Sequence, residues 1–181
     1  MEAQLQKNII LCGICIALNV GLGKVSSLLA LPFTMDTVGT ILAATLLPWP
    51  FVLIAGGASS LIAAVVINPV FAYFIGTQLV IAVVAIVLVR ARMFSGLWRA
   101  LIAGLIIGVS SAIASAPVIV IVFGGIAVPS ISALNAVFLA SGESLWTSVI
   151  SGSLIVESID KIFAALISWQ ALKRIQPTLN K

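Results

Sequence analysis

Residues 71–92 have the sequence FAYFIGTQLVIAVVAIVLVRAR, and this stretch decides the fold. The run from Phe71 to Val89 contains no charged side chain, and Arg90 and Arg92 close it. A helix needs about 20 predominantly apolar residues to cross the hydrocarbon core of a bilayer. The stretch therefore predicts a membrane-spanning helix that ends at a basic boundary.

The rest of the chain has the same character. Of its 181 residues, 62% are hydrophobic and 8% are charged, whereas about 25% of a soluble chain is charged. The mean hydropathy is +1.30. The apolar runs are continuous and lack the alternation of a membrane β-barrel. The composition predicts an all-α integral membrane protein in which residues 1–181 form a single transmembrane domain.

Prolines and polar residues divide the apolar sequence into segments. The runs Pro48-Trp49-Pro50 and Asn68-Pro69 are the clearest breaks, because proline does not continue a helix from the preceding turn. The six predicted spans are residues 9–23, 34–47, 51–67, 71–89, 98–123 and 153–172, with a long loop at residues 124–152 before the last.

The basic residues predict the orientation of this six-helix bundle. Six spans bring three basic regions to one side of the membrane, and Lys and Arg favour the cytoplasmic side. Both termini are therefore expected to be cytoplasmic, and the net charge of +4 is explained without a nucleic-acid surface. The three regions are Lys7, the group Arg90, Arg92 and Arg99, and the group Lys173, Arg174 and Lys181.

Few residues are suited to catalysis. The sequence contains no His and no P-loop motif, so neither a Ser/His/Asp triad nor ATP hydrolysis by that route is expected. Cys12 and Cys15 form a C-x-x-C spacing without a second cysteine pair, and we interpret them as small side chains that pack within the membrane. The chain is predicted not to be an enzyme, with no catalytic residue and no metal site.

The first span has a face of small residues. Gly13, Ala17 and Gly21 are spaced by four residues, so they lie on one side of a helix. Small residues allow close approach of another helix in a bilayer. That helix is either one of this chain's own or one of a partner protein.

Ionisable residues occur within two of the spans. Asp36 lies at the start of the second predicted span, residues 34–47, where a carboxylate can cap the helix N-terminus. Glu157 and Lys161 in the last span are four residues apart and can form an ion pair, and Asp160 lies between them. The alternative is a ligand site, because charged groups at membrane depth are costly and usually functional.

Further polar residues are predicted near the outer side of the bundle. The loop 124–152 contains Asn135, Glu143 and Trp146, and it fits a re-entrant segment or a lid over a cavity. Trp146 is equally well explained as an interfacial anchor. Tyr73 and Gln78 lie at the start of the fourth span, where Gln78 either bonds another helix or contacts a ligand.

Three stretches together resemble the substrate-binding S components of energy-coupling factor (ECF) vitamin transporters. The Gly13-Ala17-Gly21 face is similar to the family's A-x-x-x-A docking motif, with Gly at two positions. The run from Phe33 to Thr40 leads into apolar sequence up to Pro48-Trp49. The run from Glu157 to Lys161 leads to Lys173-Arg174 and Pro177.

The resemblance implies a function and a set of partners. The chain would bind a water-soluble vitamin or precursor from outside a bacterial cell membrane and dock through Gly13, Ala17 and Gly21. Its partners would be a transmembrane coupling subunit and two ATPase subunits, which use the ATP, so the chain itself needs no cofactor. The candidate substrate-binding residues are Lys24, Tyr73, Gln78, Asn135, Glu143, Trp146, Glu157, Asp160 and Lys161.

The ligand and some alternatives stay open at this point. Acids such as Glu157 suit a hydroxymethylpyrimidine or pyridoxine-like ring, whereas Lys24 or Lys161 suits a carboxylate such as that of pantothenate. A stand-alone small channel or secondary carrier is the main alternative function. A structural or assembly protein of the membrane is a third.

Overall fold

The computed structural model describes residues 2–127 and 129–179, so Lys181 of the C-terminal basic group lies outside the described residues. Within the described part, helices are the only regular elements, and no strand occurs. A 3₁₀ turn, Pro69–Phe74, leads into the fourth helix. The helices are α1 Glu2–Leu28, α2 Val38–Leu46, α3 Trp49–Val66, α4 Ile75–Arg90, α5 Leu97–Ile121, α6 Pro129–Ala140 and α7 Leu145–Leu179.

Four helical segments have the length and composition of membrane spans. These are α1, α3, α5 and the continuous segment formed by the 3₁₀ turn and α4, each with a mean hydropathy of at least 1.9 over its best window. The nine-residue α2 is too short to span on its own. The long α7 carries Glu157, Asp160 and Lys161 in its first half. The chain is therefore an all-helical membrane protein.

The predicted breaks between the early spans coincide with helix ends. α2 stops at Leu46 and α3 starts at Trp49, with Pro50 in its first turn, where the missing N–H of proline is not needed. After α3, the side chain of Asn68 accepts a hydrogen bond from the Val70 N–H and so begins the 3₁₀ turn. Local turn chemistry thus sets both boundaries.

The short α2 lies at the centre of the bundle, in contact with α1, α3, α4 and α7. The Asn19 side chain of α1 accepts hydrogen bonds from the N–H groups of Gly39 and Thr40 in the first turn of α2. Asn19 therefore caps α2, and the expected cap by Asp36 is wrong. A side chain at Gly39 would collide with the carbonyl oxygen of Cys15, so this glycine permits the close approach of α1.

The tightest helix pair is α5 and α7, which pack along most of their length. A Cβ at Gly104 would lie 2.6 Å from Ile162 Cα, and one at Gly108 would lie 2.5 Å from Ser158 Cα. These backbone atoms cannot move aside as a flexible side chain can. We call this contact the α5–α7 seam; it fixes the position of the first half of α7.

The predicted loop at residues 124–152 is largely helical. It contains α6, and α7 begins at Leu145, before the predicted start of the last span at residue 153. The irregular residues on either side of α6 include glycines with positive φ, at Gly124, Gly125 and Gly142, a conformation that glycine adopts without strain. The loop prediction was wrong because its Ser and Gly residues were taken as breaks, whereas tertiary packing on α5 and α6 supports the helix.

The buried apolar residues form two clusters. One cluster is formed by residues of α1, α2, α3, α4, α5 and the second half of α7, and it includes Ile41, Ile81 and Ile107. The other lies under α6 and includes Ile131 and Val149. Polar and charged groups of α2, α4, α5 and α7 lie between the two clusters and form the candidate site described next.

Candidate functional site

The site is centred on Lys161 of α7, whose side chain is 2% exposed. Its Nζ lies 2.5 Å from Asp160 Oδ2, 3.2 Å from Asp36 Oδ1 and 3.4 Å from Glu157 Oε2. The predicted pair of Glu157 and Lys161 is thereby confirmed. Removing charges from water is costly unless they are paired and hydrogen-bonded, and here one ammonium serves three carboxylates.

Asp160 also holds the chain that precedes α2. Its Oδ1 accepts a hydrogen bond from the Met35 N–H at 2.8 Å, and its Oδ2 lies 2.9 Å from the Thr34 hydroxyl. Met35 has a φ of 52°, which is strained for a residue with a side chain. The bonds to Asp160 stabilise this conformation and fix Asp36 next to Lys161.

The other two carboxylates have neutral partners on different helices. Gln78 Nε2 of α4 donates to Asp36 Oδ2 at 2.9 Å. The Ser111 hydroxyl of α5 donates to Glu157 Oε2 at 2.6 Å. The network is therefore held by four elements: α4, α5, α7 and the segment that precedes α2.

A small cavity of about 40 Å³ borders this network. This volume suffices for a water molecule or two. Gln78 and Thr77 are both buried, with only 6% of each residue exposed. Even so, Gln78 Oε1 and Thr77 Oγ1 have no hydrogen-bond partner among the described residues. The lining residues are Thr34, Asp36, Phe71, Phe74, Thr77, Gln78, Ile81, Ser111, Ser115, Ile131, Glu157 and Lys161.

Four of the nine predicted substrate-binding residues belong to this site. Gln78, Glu157 and Lys161 line the cavity, and Asp160 lies behind them as a partner of Lys161. The sequence analysis had grouped the three α7 residues from their spacing along the helix.

The other five predicted residues lie elsewhere. Lys24 donates to the Val66 carbonyl, and Tyr73 is 56% exposed with its ring against Phe123. Asn135 is buried and donates to the Gly125 carbonyl, which ties α6 to the preceding turn. Glu143 and Trp146 are exposed.

The sequence analysis did not assign Asp36, Thr34 or Ser111 to the site. Asp36 was taken for a helix cap, and its approach to Lys161 depends on the packing of α2 against α7. The signal that was available is the polar run Thr34-Met35-Asp36-Thr37 between apolar segments. Ser111 carries no such signal, because serine is common in membrane helices and often bonds only to its own helix.

The predicted docking face of α1 lies on the outside of the bundle. Gly13, Ala17 and Gly21 are exposed, and a Cβ added at either glycine would meet no atom within 4 Å. The opposite face of α1 is buried and carries Cys12, Cys15 and Asn19 among others. The alternative that the small residues pack against this chain's own helices does not apply to the described residues.

A larger depression lies beside the ends of α5 and α7 remote from α6. It has a volume of about 740 Å³, is wide open, and is bordered by apolar side chains such as Leu97 and Trp169, together with Gln170 and Arg174. None of its bordering residues belongs to the charged network. The smaller, partly open cavity has the convergent polar groups that specify a ligand, so we take it as the candidate site.

Comparison with known proteins does not identify a relative: no family model, no curated protein and no solved structure matches the chain. The site's geometry and the three stretches of resemblance therefore carry the functional proposal.

Proposed function

We propose that the protein is the substrate-binding S component of an ECF-type transporter for a water-soluble vitamin or vitamin precursor. The observation that carries the proposal is the cavity beside the buried charged groups Lys161, Asp36 and Glu157, within a bundle of largely apolar helices. Ionisable groups at such a place usually mark a substrate or ion pathway. The charged groups are already held by hydrogen-bond and ion-pair partners on four structural elements. We therefore assign them to ligand binding rather than to catalysis.

The α1 face supports the second half of the proposal. Gly13, Ala17 and Gly21 leave a shallow groove on the exposed side of α1, which another helix can enter closely. In the proposal this groove receives the transmembrane coupling subunit, and two ATPase subunits supply the energy. No residue of α1 lines the binding cavity, so in the proposal ligand and partner do not compete for the same residues.

The proposal includes a topology. Six segments, α1 to α5 and α7, cross a bacterial cell membrane with both termini in the cytoplasm. The connection between α4 and α5, with Arg90, Arg92 and Arg99 in or next to it, faces the same side. The short α2 is then surrounded by other helices rather than by lipid, where irregular backbone on either side of it is tolerated. Labelling single-cysteine variants from either side of the membrane tests this arrangement.

The central experiment identifies what the protein carries. The chain, purified in mild detergent, is examined by native mass spectrometry for a retained small molecule. It is also coexpressed with the coupling and ATPase subunits of its source organism and purified through its own tag. We expect a retained vitamin-like compound and recovery of all three subunits; a protein that retains no small molecule and recovers no subunit contradicts the proposal.

One observation favours a second function. Charged residues within membrane segments also occur in proton and ion pathways of carriers, and the Lys161 network has that composition. A stand-alone channel or secondary carrier would transport its substrate in liposomes that contain this chain alone, without ATP. We expect no such flux.

A further inference from the structure

We propose that the cavity beside Lys161 binds an organic cation, in the form of a planar ring or short chain bearing an ammonium, amidinium or ring-bound amino group. This inference rests on the proposed function and narrows its substrate class. It excludes ligands whose main recognition group is a carboxylate.

The first argument is the charge of the site. Asp36, Glu157 and Asp160 surround a single ammonium, and within the described part of the chain Lys161 makes every salt bridge of these three carboxylates. With all four groups ionised, two negative charges remain without a counter-charge. Their side chains are only 2–14% exposed, so solvent does little to compensate them. A cationic ligand supplies the missing charge.

The second argument is that Lys161 is already occupied. Its Nζ donates hydrogen bonds to Asp36 and Asp160 and also lies 3.4 Å from Glu157 Oε2, so three carboxylates already neighbour the ammonium. A ligand carboxylate would have to displace one of these acids and would add a third negative charge. The expectation that Lys161 holds pantothenate is therefore not favoured by this geometry.

The third argument is a pair of buried oxygen atoms without hydrogen-bond partners among the described residues, on two residues that line the cavity. Gln78 points its NH₂ group at Asp36 Oδ2, a carboxylate that only accepts, so its Oε1 must be the atom left free. Thr77 Oγ1 lies next to it in sequence and is equally buried and unpartnered. A buried acceptor without a donor is costly. Both residues line the cavity, so a ligand that brings N–H groups into the enlarged cavity is placed to satisfy these two atoms.

The fourth argument is the aromatic wall. Phe71 and Phe74 line the cavity, and Phe74 is held by stacking on Phe123 at 6.1 Å with an interplanar angle of 11°. A ring face attracts cations and stacks on planar heterocycles. A cavity lined by both acidic groups and phenyl rings suits a flat cation.

A metal ion fits the same net charge less well. Lys161 occupies the centre of the three carboxylates, and among the residues that the structure describes no group of three or more His, Cys, Asp or Glu could hold a metal ion. A divalent cation is nonetheless included in the test.

The cavity must open to take such a ligand. Its 40 Å³ is far below the roughly 300–1,000 Å³ of small-molecule pockets. Ile131 of α6 forms part of the lining, and α6 lies between the positive-φ glycines Gly125 and Gly142. In the proposal, displacement of α6 enlarges the cavity on the side lined by Ile131, while the α5–α7 seam at Gly104 and Gly108 stays in place.

Binding is measured by isothermal titration calorimetry on the detergent-purified chain after any retained compound has been dialysed away. The cationic probes are thiamine, pyridoxamine and benzamidine. Pyridoxine is the uncharged counterpart of pyridoxamine, pantothenate is the anionic probe, and MgCl₂ is the metal probe. We expect at least one cation to bind with a Kd below about 1 mM, and pyridoxamine to bind at least about tenfold more tightly than pyridoxine.

Two variants with matched controls locate the binding. Asp36→Asn removes one carboxylate with little change in shape, and the best cation should bind at least about tenfold more weakly; Glu2→Gln removes an exposed carboxylate far from the site and should leave Kd unchanged. Thr77→Val removes the unpartnered hydroxyl and should weaken binding while raising the melting temperature of the ligand-free protein. Its control, Thr45→Val, removes a hydroxyl that is already bonded to the Leu42 carbonyl and should do neither.

The results separate the inference from the proposed function. The inference is overturned if no cationic probe binds by about 1 mM, if pyridoxine, pantothenate or Mg²⁺ binds as tightly as the best cation, or if Thr77→Val leaves cation binding unchanged. Copurification with coupling and ATPase subunits together with such a result would retain the transporter proposal. Cation binding without those subunits would retain the inference and refute the transporter proposal.

Discussion

Two helices of this protein carry small residues at the same spacing and use them in different ways. In α5, Gly104 and Gly108 face α7, and a side chain at either would collide with its backbone. In α1, Gly13 and Gly21 face outward, and a side chain at either would meet no atom within 4 Å. One face is already occupied by a helix of this chain, and the other is free.

The difference shows that a small-residue pattern gives only the ability to pack closely. Whether another helix fills the groove depends on tertiary structure, and in α5 the filled groove has a consequence for the site. Gly108 lies against Ser158 and the carbonyl of Glu157, so the α5–α7 seam holds Glu157 and Lys161 in place. The free face of α1 does not hold any site residue in place, and in the proposed function it binds the coupling subunit.

The strongest way to test the comparison is to place the same bulky residue in each face. Gly108→Trp should prevent α5 from packing on α7, since the indole would occupy the position of α7 backbone atoms. We expect little or no folded protein, measured as the monodisperse fraction in size-exclusion chromatography in detergent. A folded Gly108→Trp protein that binds its ligand would show that the seam is not tightly packed.

Ala17→Trp makes the matched change on the free face. We expect vitamin uptake in cells to fall to background, because the indole blocks docking of the coupling subunit, while ligand affinity and melting temperature stay the same. Uptake, calorimetric Kd and thermal unfolding are measured on the same variant. Loss of ligand binding together with uptake would mean that this face also packs within the chain.

A change at the site beside the seam should have an intermediate effect. Glu157→Ala removes a carboxylate that lines the cavity, and a hydrogen bond to a charged group contributes about 1.5–3 kcal/mol. We expect ligand binding to weaken by about 10- to 100-fold, with the transporter complex still assembled in a pull-down. Unchanged affinity would remove Glu157 from the site.

Asp160 should behave differently from Glu157, although both were predicted as ligand residues. Asp160 holds Met35 and Thr34 in addition to Lys161, and truncating one member of a buried ion pair costs about 3–5 kcal/mol. Asp160→Ala should therefore lower thermal stability clearly more than Glu157→Ala does. Equal melting temperatures for the two variants would contradict the structural role of Asp160.

The smallest expected effect compares one methyl group in the two faces. Gly108→Ala should destabilise the protein by about 1–3 kcal/mol through overpacking. Gly13→Ala should be neutral or stabilising by up to about 1 kcal/mol, because alanine favours the helix and has room here. Thermal unfolding of both variants in one detergent measures the difference; equal shifts would remove the distinction between the two faces.

The sequence was sufficient for features that are local. The breaks at Pro48-Trp49-Pro50 and Asn68-Pro69 were predicted from proline alone and coincide with helix ends. The ion pair of Glu157 with Lys161 followed from a spacing of four residues, and its atoms lie 3.4 Å apart. Such predictions need only the geometry of one helix or one turn.

Features that join distant residues were missed. Asp36 was assigned to a cap because a carboxylate before a helix ordinarily has that role, but Asn19 caps α2 from another helix and leaves Asp36 free to pair with Lys161. The start of α7 was placed eight residues late, because helix there depends on packing more than on the composition of residues 145–152. In the sequence, Gly104 and Gly108 show the same kind of small-residue pattern as Gly13 and Gly21. The sequence therefore did not indicate that only Gly104 and Gly108 pack against another helix of this chain.

The ion network also has a consequence for how the chain is made. Asp36 enters the membrane early during synthesis, and its partner Lys161 follows 125 residues later. Insertion of Asp or Lys at the centre of a membrane helix is unfavourable by about 2.5–3.5 kcal/mol per residue. In the proposed six-span topology, α7 with Glu157, Asp160 and Lys161 therefore inserts more readily when Asp36 is present to pair with Lys161. In this topology, a chain without α7 would leave Asp36 without the ammonium of Lys161, so we expect α7 to complete the network that the segment before α2 begins.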